Sequence, residues 1–207
     1  MSKEPLPPHG VMEGKGAYNK HAKLPAGGAA LALPLLEKAV RNIVLDRSDR
    51  PIVIADYGSS QGTNSMAPMQ VAIKNLRQRL GSSRSICVFH IDQPSNDFNT
   101  LFEVLDADPD SYVLDEANVF PAAIGRSFYE TVLPHGSVDL GWRSYAAVWL
   151  SRVPALIPDH FIFIRSSGKE RAEFERQGAG LGGVPVHTGS GIAARRTSGR
   201  GPPGAHG

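Results

Sequence analysis

Cysteine is almost absent. Cys87 is the only one in 207 residues, which excludes a disulfide framework and a zinc site built on cysteines. No apolar run is long enough to span a bilayer. The N-terminus, MSKEPLPPHG, has no apolar signal core, so a cytoplasmic protein without a membrane partner is the expectation. Acids are missing from the last 30 residues: all 20 lie before Gly178, while the tail contributes Arg195, Arg196 and Arg200. The net charge of +2 therefore belongs to the tail, and the rest of the chain is close to neutral. No basic face for a nucleic-acid partner follows from this. The seven histidines show no ligand spacing, and no metal site is expected. What remains is a chain with 41% hydrophobic and 20% charged residues, globular in composition and long enough for one sizeable core.

Residues 1–25 are polar and broken by glycine and proline, and read as an N-terminal arm. Residues 26–177 read as the core. A helix is expected over 26–45, with Pro34 bending it or marking its first turn. Ile52–Asp56 is a continuous apolar run that fits a buried parallel strand. Met66, Met69, Ile73, Leu76 and Leu80 recur at helical spacing, with Ser65 as N-cap and Gly81 as stop. Ile86–Ile91 is a second strand closed by Asp92, and Asp97–Leu105 a further helix. Strand–helix–strand–helix at this spacing predicts an α/β parallel sheet. Ser137–Leu140 and His160–Arg165 are further strand candidates, and Ser144–Arg152 and Lys169–Gln177 further helices. The basic run Lys74–Arg79 reads as the solvated face of a helix. His90 and His160, set in apolar strands, read as hydrogen-bonded core residues.

The character changes at Gly178. Residues 178–207 hold ten of the 22 glycines, no acid and no aromatic, and show no period; by composition they are disordered. An abrupt switch where a helix has just begun is what out-of-frame reading of a GC-rich gene produces. Resequencing tests this: an intact frame, with the same tail in close relatives, refutes it.

The stretch IVIADYGSSQGTNS (Ile52–Ser65) admits two chemistries. Gly58–Gly62 satisfies G-x-S-x-G, the nucleophile elbow of serine hydrolases, with Ser60 as nucleophile. Asp139 or Asp159 with His160 would complete a triad. Against it, the strand is the first of the chain, and no loop before it supplies an oxyanion hole. The other reading is a cofactor loop. Asp56 and Asp92 close two successive strands, Gly58 and Gly62 let backbone approach a ligand, and Asn64 offers an amide. A carboxylate at the second strand end can take both hydroxyls of a ribose. The G-x-G-x-x-G spacing of a dinucleotide site is missing. Taken singly, each residue also fits a plain structural turn; the pair of acids at successive strand ends is what favours the cofactor.

Four segments resemble a known family. GAYNKHA (Gly16–Ala22), IADYGSSQGTN (Ile54–Asn64), DQPSNDFNTLF (Asp92–Phe102) and GRSFYETVLPHGSVDLGWRSYAAVWLSRVP (Gly125–Pro154) are similar, in order and register, to the motifs of the SABATH S-adenosylmethionine-dependent methyltransferases. The chain is identified as a bacterial-type member, the resemblance running from about Gly16 to Gln177. It implies a Rossmann-like α/β sheet with helices on both faces, S-adenosylmethionine as cofactor, and an O-methyl transfer to a small-molecule acceptor. It implies that Asp56 and Asn64, with Gly58 and Ser59 of the loop, hold the methionine end. Asp92, with Gln93 beside it, would bind the ribose; Ser127 and Phe128 would flank the adenine. Tyr18 would lie near cofactor and substrate, and Tyr145 and Trp149 would line the substrate pocket.

Departures accompany the match. Pro25 stands where the family has a carboxylate-binding Gln, His21 where Asn is usual, and Gln93 where an apolar residue is usual. The family's last strands and helical cap should follow Gln177 and do not, which suggests a truncated chain, with an inactive remnant as the alternative outcome. An unpaired sheet edge invites self-association into a homodimer. No catalytic residue is expected: the leaving group on a sulfonium is excellent and a carboxylate acceptor is already ionised, so alignment and desolvation suffice. Tyr18 and Trp149 are candidates for cation–π contact with the sulfonium. By period alone, the aromatics of SYAAVWL would be placed in a helix core.

Overall fold

The structure is a computed structural model and describes residues 23–46, 48–148 and 191–194. Ala29, Ala32, Leu36 and Val40 recur at helical intervals and form the buried stripe of α1 (Lys23–Asn42). Pro25 falls in its first turn, where proline is tolerated, and Pro34 lies inside it. The β-branched run that follows forms β1 (Ile52–Tyr57). A single 3₁₀ turn (Thr63–Ser65) leads into α2 (Met66–Leu80), and Gly81 ends it at φ +74°. Next come β2 (Ile86–Asp92), α3 (Phe98–Ala107) and α4 (Tyr112–Asp115). Asp97 caps α3, its carboxylate accepting from the Thr100 N–H at 3.1 Å and hydroxyl at 2.8 Å. β3 (Val119–Gly125), β4 (Leu140–Arg143), a second 3₁₀ turn (Tyr145–Val148) and β5 (Gly191–Ala194) complete the described chain.

The sheet order is β3-β2-β1-β4-β5. β1, β2, β3 and β4 run parallel, and β5 is antiparallel to β4. This is the α/β parallel sheet expected from the alternating elements. Register decides which side chains share a face. Ile52 pairs with Ile86 and Ile86 with Val119; Ile54 pairs with Val88 and Leu140; Asp56 pairs with His90 and Trp142. All of these are buried, and they meet α1, α2, α3 and α4 in one continuous core. Truncating a member such as Leu36 or Ile54 to Ala should cost about 2–5 kcal/mol. On the opposite face Val53, Cys87 and Phe89 are only half-buried, and Phe120 is exposed. The expected helix over Lys169–Gln177, the strand over His160–Arg165 and most of Ser144–Arg152 lie outside the described residues.

Three expectations change. The run Lys74–Arg79 is not simply a solvated face. Arg79 donates to the carbonyls of Val40 and Ile43, which satisfies orphan acceptors at the end of α1. Arg77 donates to the carbonyls of Arg84, Ala117 and Asn118. Their long stems let a charged head reach carbonyls that the local sequence does not reveal. β3 was not expected, because Pro121 and two alanines dilute its apolar signal; as the outermost strand beside β2 it tolerates a proline. Composition reads residues 178–207 as disordered, yet Gly191–Ala194 form β5. The open edge of β4 offers unpaired backbone groups, which any extended backbone can meet whatever its side chains.

Arg50 fastens the start of β1 to β4. It grips Asp139 with two bonds, at 2.8 and 2.5 Å, and reaches Asp46 at 2.8 Å. Asp139 also accepts the Val53 N–H at 3.0 Å. Asp139 is 1% exposed, so loss of Arg50 would leave a buried carboxylate unpaired at a cost of about 3–5 kcal/mol.

Candidate functional site

The strand order reverses between β1 and β4. In an open parallel sheet this switch point, at the carboxyl ends of the strands, is where a crevice forms. A cleft lies there, lined by Asp56, Gly58, Ser59, Asn64 and Ser65 from the β1 side and by Trp142, Ser144, Tyr145 and Ala146 from the β4 side. Gly58 takes φ +84° and Gly62 φ +94°. A Cβ placed on Gly58 would come within 2.1 Å of the Ala146 Cβ, so only glycine fits beneath the second 3₁₀ turn.

Asp56 forms the floor. It is 3% exposed, and its Oδ2 accepts from the Ser65 hydroxyl at 2.5 Å and lies 3.0 Å from His90 Nδ1. The Nε2 of His90 is 2.8 Å from the Tyr112 hydroxyl. The donors assign themselves: Tyr112 O–H donates to Nε2, and Nδ1–H donates to Asp56. Burial, and then the charge of Asp56, pushes the Tyr112 phenol up from its ordinary value, so it stays a donor. Ser65 stands at the N-cap of α2 as expected, but its hydroxyl turns to Asp56 and makes no cap bond. A charged acceptor is the stronger partner.

Asp92 closes β2 and is held differently. Its two oxygens accept backbone N–H groups, from Ser60 at 2.7 Å and Gln93 at 2.7 Å. Ser60 adopts φ +51°, and its carbonyl accepts from Asn96 Nδ2 at 2.8 Å. The loop after β1 is thus tied to the end of β2. Burial pushes the Asp92 carboxyl up, the two N–H groups pull it down, and the Asp56 charge adds a smaller upward push.

Several polar atoms here are buried with no hydrogen-bond partner among the described residues: Ser59 Oγ, Ser60 Oγ and Asn64 Nδ2. Those of Ser59 and Asn64 belong to residues lining the cleft. Phe128, in the turn after β3, comes within 3.8 Å of the position a Gly58 Cβ would take. Its ring carries the Arg143 guanidinium 5.5 Å from the centroid. Ser127 precedes it, its hydroxyl accepting the Tyr129 N–H at 3.3 Å. Gln93 is exposed, with its side chain outside the cleft lining. Tyr145 is 39% exposed at the cleft mouth. Tyr18 and Trp149 lie outside the described residues. Among the described residues no cluster of His, Cys, Asp and Glu could hold a metal, and no helix is long and apolar enough to cross a membrane.

The elbow reading of Ser60 finds no support. Its Oγ meets no base among the described residues, and Asp139 is committed to Arg50. Asp159 and His160 lie outside the described residues. Ser65, Asp56 and His90 do contain the three triad side chains, but the acid lies between the serine and the histidine. A triad needs the histidine to take the serine proton.

Sequence reasoning missed Ser65, Tyr112, Trp142 and Arg143 at this site. Only the register that sets Asp56 beside His90 and Trp142 connects them. The one available signal was a histidine inside an apolar strand.

A family model for SAM-dependent carboxyl methyltransferases matches residues 9–168. Methyltransferase LUC1 of Fusarium sp is 38% identical over 149 residues, which cover 69% of this chain and 39% of that protein. Loganic acid O-methyltransferase of Catharanthus roseus is 31% identical over 153 residues, covering 69% and 39%. Indole-3-acetate O-methyltransferase 1 of Arabidopsis thaliana is 28% identical over 181 residues, covering 81% and 46%. Among solved structures, a loganic acid methyltransferase with SAH (S-adenosylhomocysteine) superposes with a TM-score of 0.63 at 26% identity. That match covers 83% of this chain and 53% of that one. The chain thus spans less than half the length of these curated relatives.

Proposed function

The chain belongs to the S-adenosylmethionine-dependent carboxyl methyltransferase family, and on that premise we propose that it binds S-adenosylmethionine in the β1–β4 cleft and methylates an oxygen of a small-molecule carboxylic acid. The observation that carries the reading is the glycine loop between two carboxylates: Asp56 lines the cleft at the switch point, and Asp92, at the end of the neighbouring β2, accepts the loop's Ser60 N–H. The donor set fits the cofactor. Gly58 admits only backbone, and Ser59 Oγ and Asn64 Nδ2 are buried polar atoms without partners. A buried polar atom without a partner is costly unless a ligand meets it.

Asp56 and Asn64 would hold the ammonium and carboxylate of the methionine end, with Gly58 and Ser59 lying against it. Asp92, with Gln93 beside it, would take the ribose hydroxyls, and Ser127 and Phe128 would flank the adenine. When bound, the cofactor supplies a methyl group on a sulfonium. Tyr18, Tyr145 and Trp149 would line the acceptor side, shut out water and hold the acceptor oxygen in line. A carboxylate is ionised at neutral pH, so no base is required and no catalytic acid–base pair is assigned. Pro25 offers no side-chain donor, so recognition of the acceptor's carboxylate falls to other residues. A cytoplasmic location and self-association through a sheet edge left by missing last strands belong to the same reading; light scattering tests the latter.

Calorimetric titration of the 207-residue chain with S-adenosylhomocysteine tests the proposal. Micromolar binding that is lost in Asp92→Ala is the expected result. No binding by a chain that unfolds cooperatively on heating would overturn it.

A further inference from the structure

The mechanism above gives Asp56 a ligand but leaves two buried groups behind it without a role. His90 is fully buried on β2 and Tyr112 is 1% exposed on α4. Ser111 anchors Tyr112: its hydroxyl donates to the Leu105 carbonyl at 2.6 Å and accepts the Val113 N–H at 3.4 Å. The chain Tyr112–His90–Asp56 therefore crosses the core from a helix to the cleft. Each link has one direction. A carboxylate only accepts, so Nδ1 carries its proton toward Asp56, and in the neutral ring Nε2 then accepts from the Tyr112 hydroxyl. Both side-chain donors that reach Asp56, from Ser65 and His90, converge on Oδ2. No described side chain donates to Oδ1, and Asp56 lines the cleft.

We propose that His90 and Tyr112 are positioning residues for the cofactor's amino-acid end: they pin Asp56 Oδ2 to the core and leave Oδ1 facing the cleft for an ammonium group. The inference rests on the cofactor reading above and deepens it. A carboxylate free to rotate would lose orientational entropy on binding, whereas one already clamped does not. A hydrophobic residue would fill the space of His90 but leave Asp56 with the Ser65 bond alone.

The test compares two ligands on the full-length chain by calorimetry. S-adenosylhomocysteine carries the amino-acid end, and 5′-methylthioadenosine lacks it. His90→Leu should weaken the first roughly 10-fold, the size of one charge-assisted hydrogen bond, and leave the second within about 2-fold. His90→Asn, whose amide can stand in for Nδ1–H, should recover most of the loss. Tyr112→Phe removes one hydroxyl and little else, and should show the same split at about 3-fold. It keeps the test sharp if His90→Leu fails to fold. An equal loss of both ligands would mark a merely structural role and overturn the inference, as would unchanged binding of both. If the unsubstituted chain binds neither ligand, the cofactor reading falls, and the inference with it.

Discussion

Asp56 and Asp92 stand near the carboxyl ends of adjacent strands, with Asp56 level with His90 and Asp92 two residues beyond it, and the protein treats them differently. Asp56 is held by side chains, the Ser65 hydroxyl and the His90 ring, on the side of the sheet filled by the core. Asp92 is held by main-chain N–H groups of the loops it ties together. The first arrangement is specific to a few residue types and is lost by mutating them. The second survives any change that keeps the backbone path. Two carboxylates read from the sequence as equivalent strand ends thus have different supports and different sensitivities.

The most damaging change should be Asp56→Ala. It removes the proposed ammonium partner and strands two buried donors, and S-adenosylhomocysteine binding should fall by roughly 100-fold or more in calorimetry. Asp92→Ala should cost about 10–100-fold, but for S-adenosylhomocysteine and 5′-methylthioadenosine alike, because both carry a ribose. A shared loss for Asp92 beside a selective loss for Asp56→Asn would sharpen the comparison. The reverse pattern would break it.

Asp92 also has a pH signature of its own. Burial raises Asp92 above the ordinary value of 3.8, so it takes up its proton sooner than a free carboxyl. Methylthioadenosine affinity should therefore weaken on acidification while the solution is still above that value. Stability of the ligand-free chain runs the other way. The folded state binds this proton more tightly than the unfolded chain, so the contribution is present at low pH and lost as pH rises through the folded pKa. The stability of the ligand-free chain should accordingly fall as pH rises through the folded pKa of Asp92, a slope absent in Asp92→Asn; the same slope in both would contradict the assigned shift.

Ser60→Ala should do least. The Ser60 Oγ makes no hydrogen bond among the described residues, and its contribution to Asp92 is made by the backbone. Stability should change by no more than about 0.5 kcal/mol, and cofactor binding should be unchanged. A large loss of any esterase activity in this variant would instead revive the nucleophile.

Much of the fold was legible because it rests on local periodicity. The stripe Met66–Leu80 and the apolar runs Ile52–Asp56 and Ile86–Ile91 announce their elements within a few residues. β3 was not legible, since a proline-bearing outer strand carries a weak local signal. Arg77 and Arg79 read as surface charge because all but one of their carbonyl partners lie 7 to 41 positions away. At the site, Asp56, Gly58, Ser59, Asn64 and Asp92 stand in two short motifs and could be named from order alone. Ser65, His90, Tyr112 and Trp142 come together only through register and packing.

The amino-acid sequence by itself determined the element types, the acids at the strand ends and, through four motifs in order, the family. Hydrophobic period and turn chemistry act over a few residues, so the linear order contains them. Tertiary structure alone decided that β4 returns beside β1, and so where the cleft opens. It also set which oxygen of Asp56 faces the core, and that Ser60 acts through its amide and not its hydroxyl. Those outcomes depend on pairings between residues 9 to 89 positions apart. No local preference specifies such pairings, and the shared burial of one sheet face brings them about.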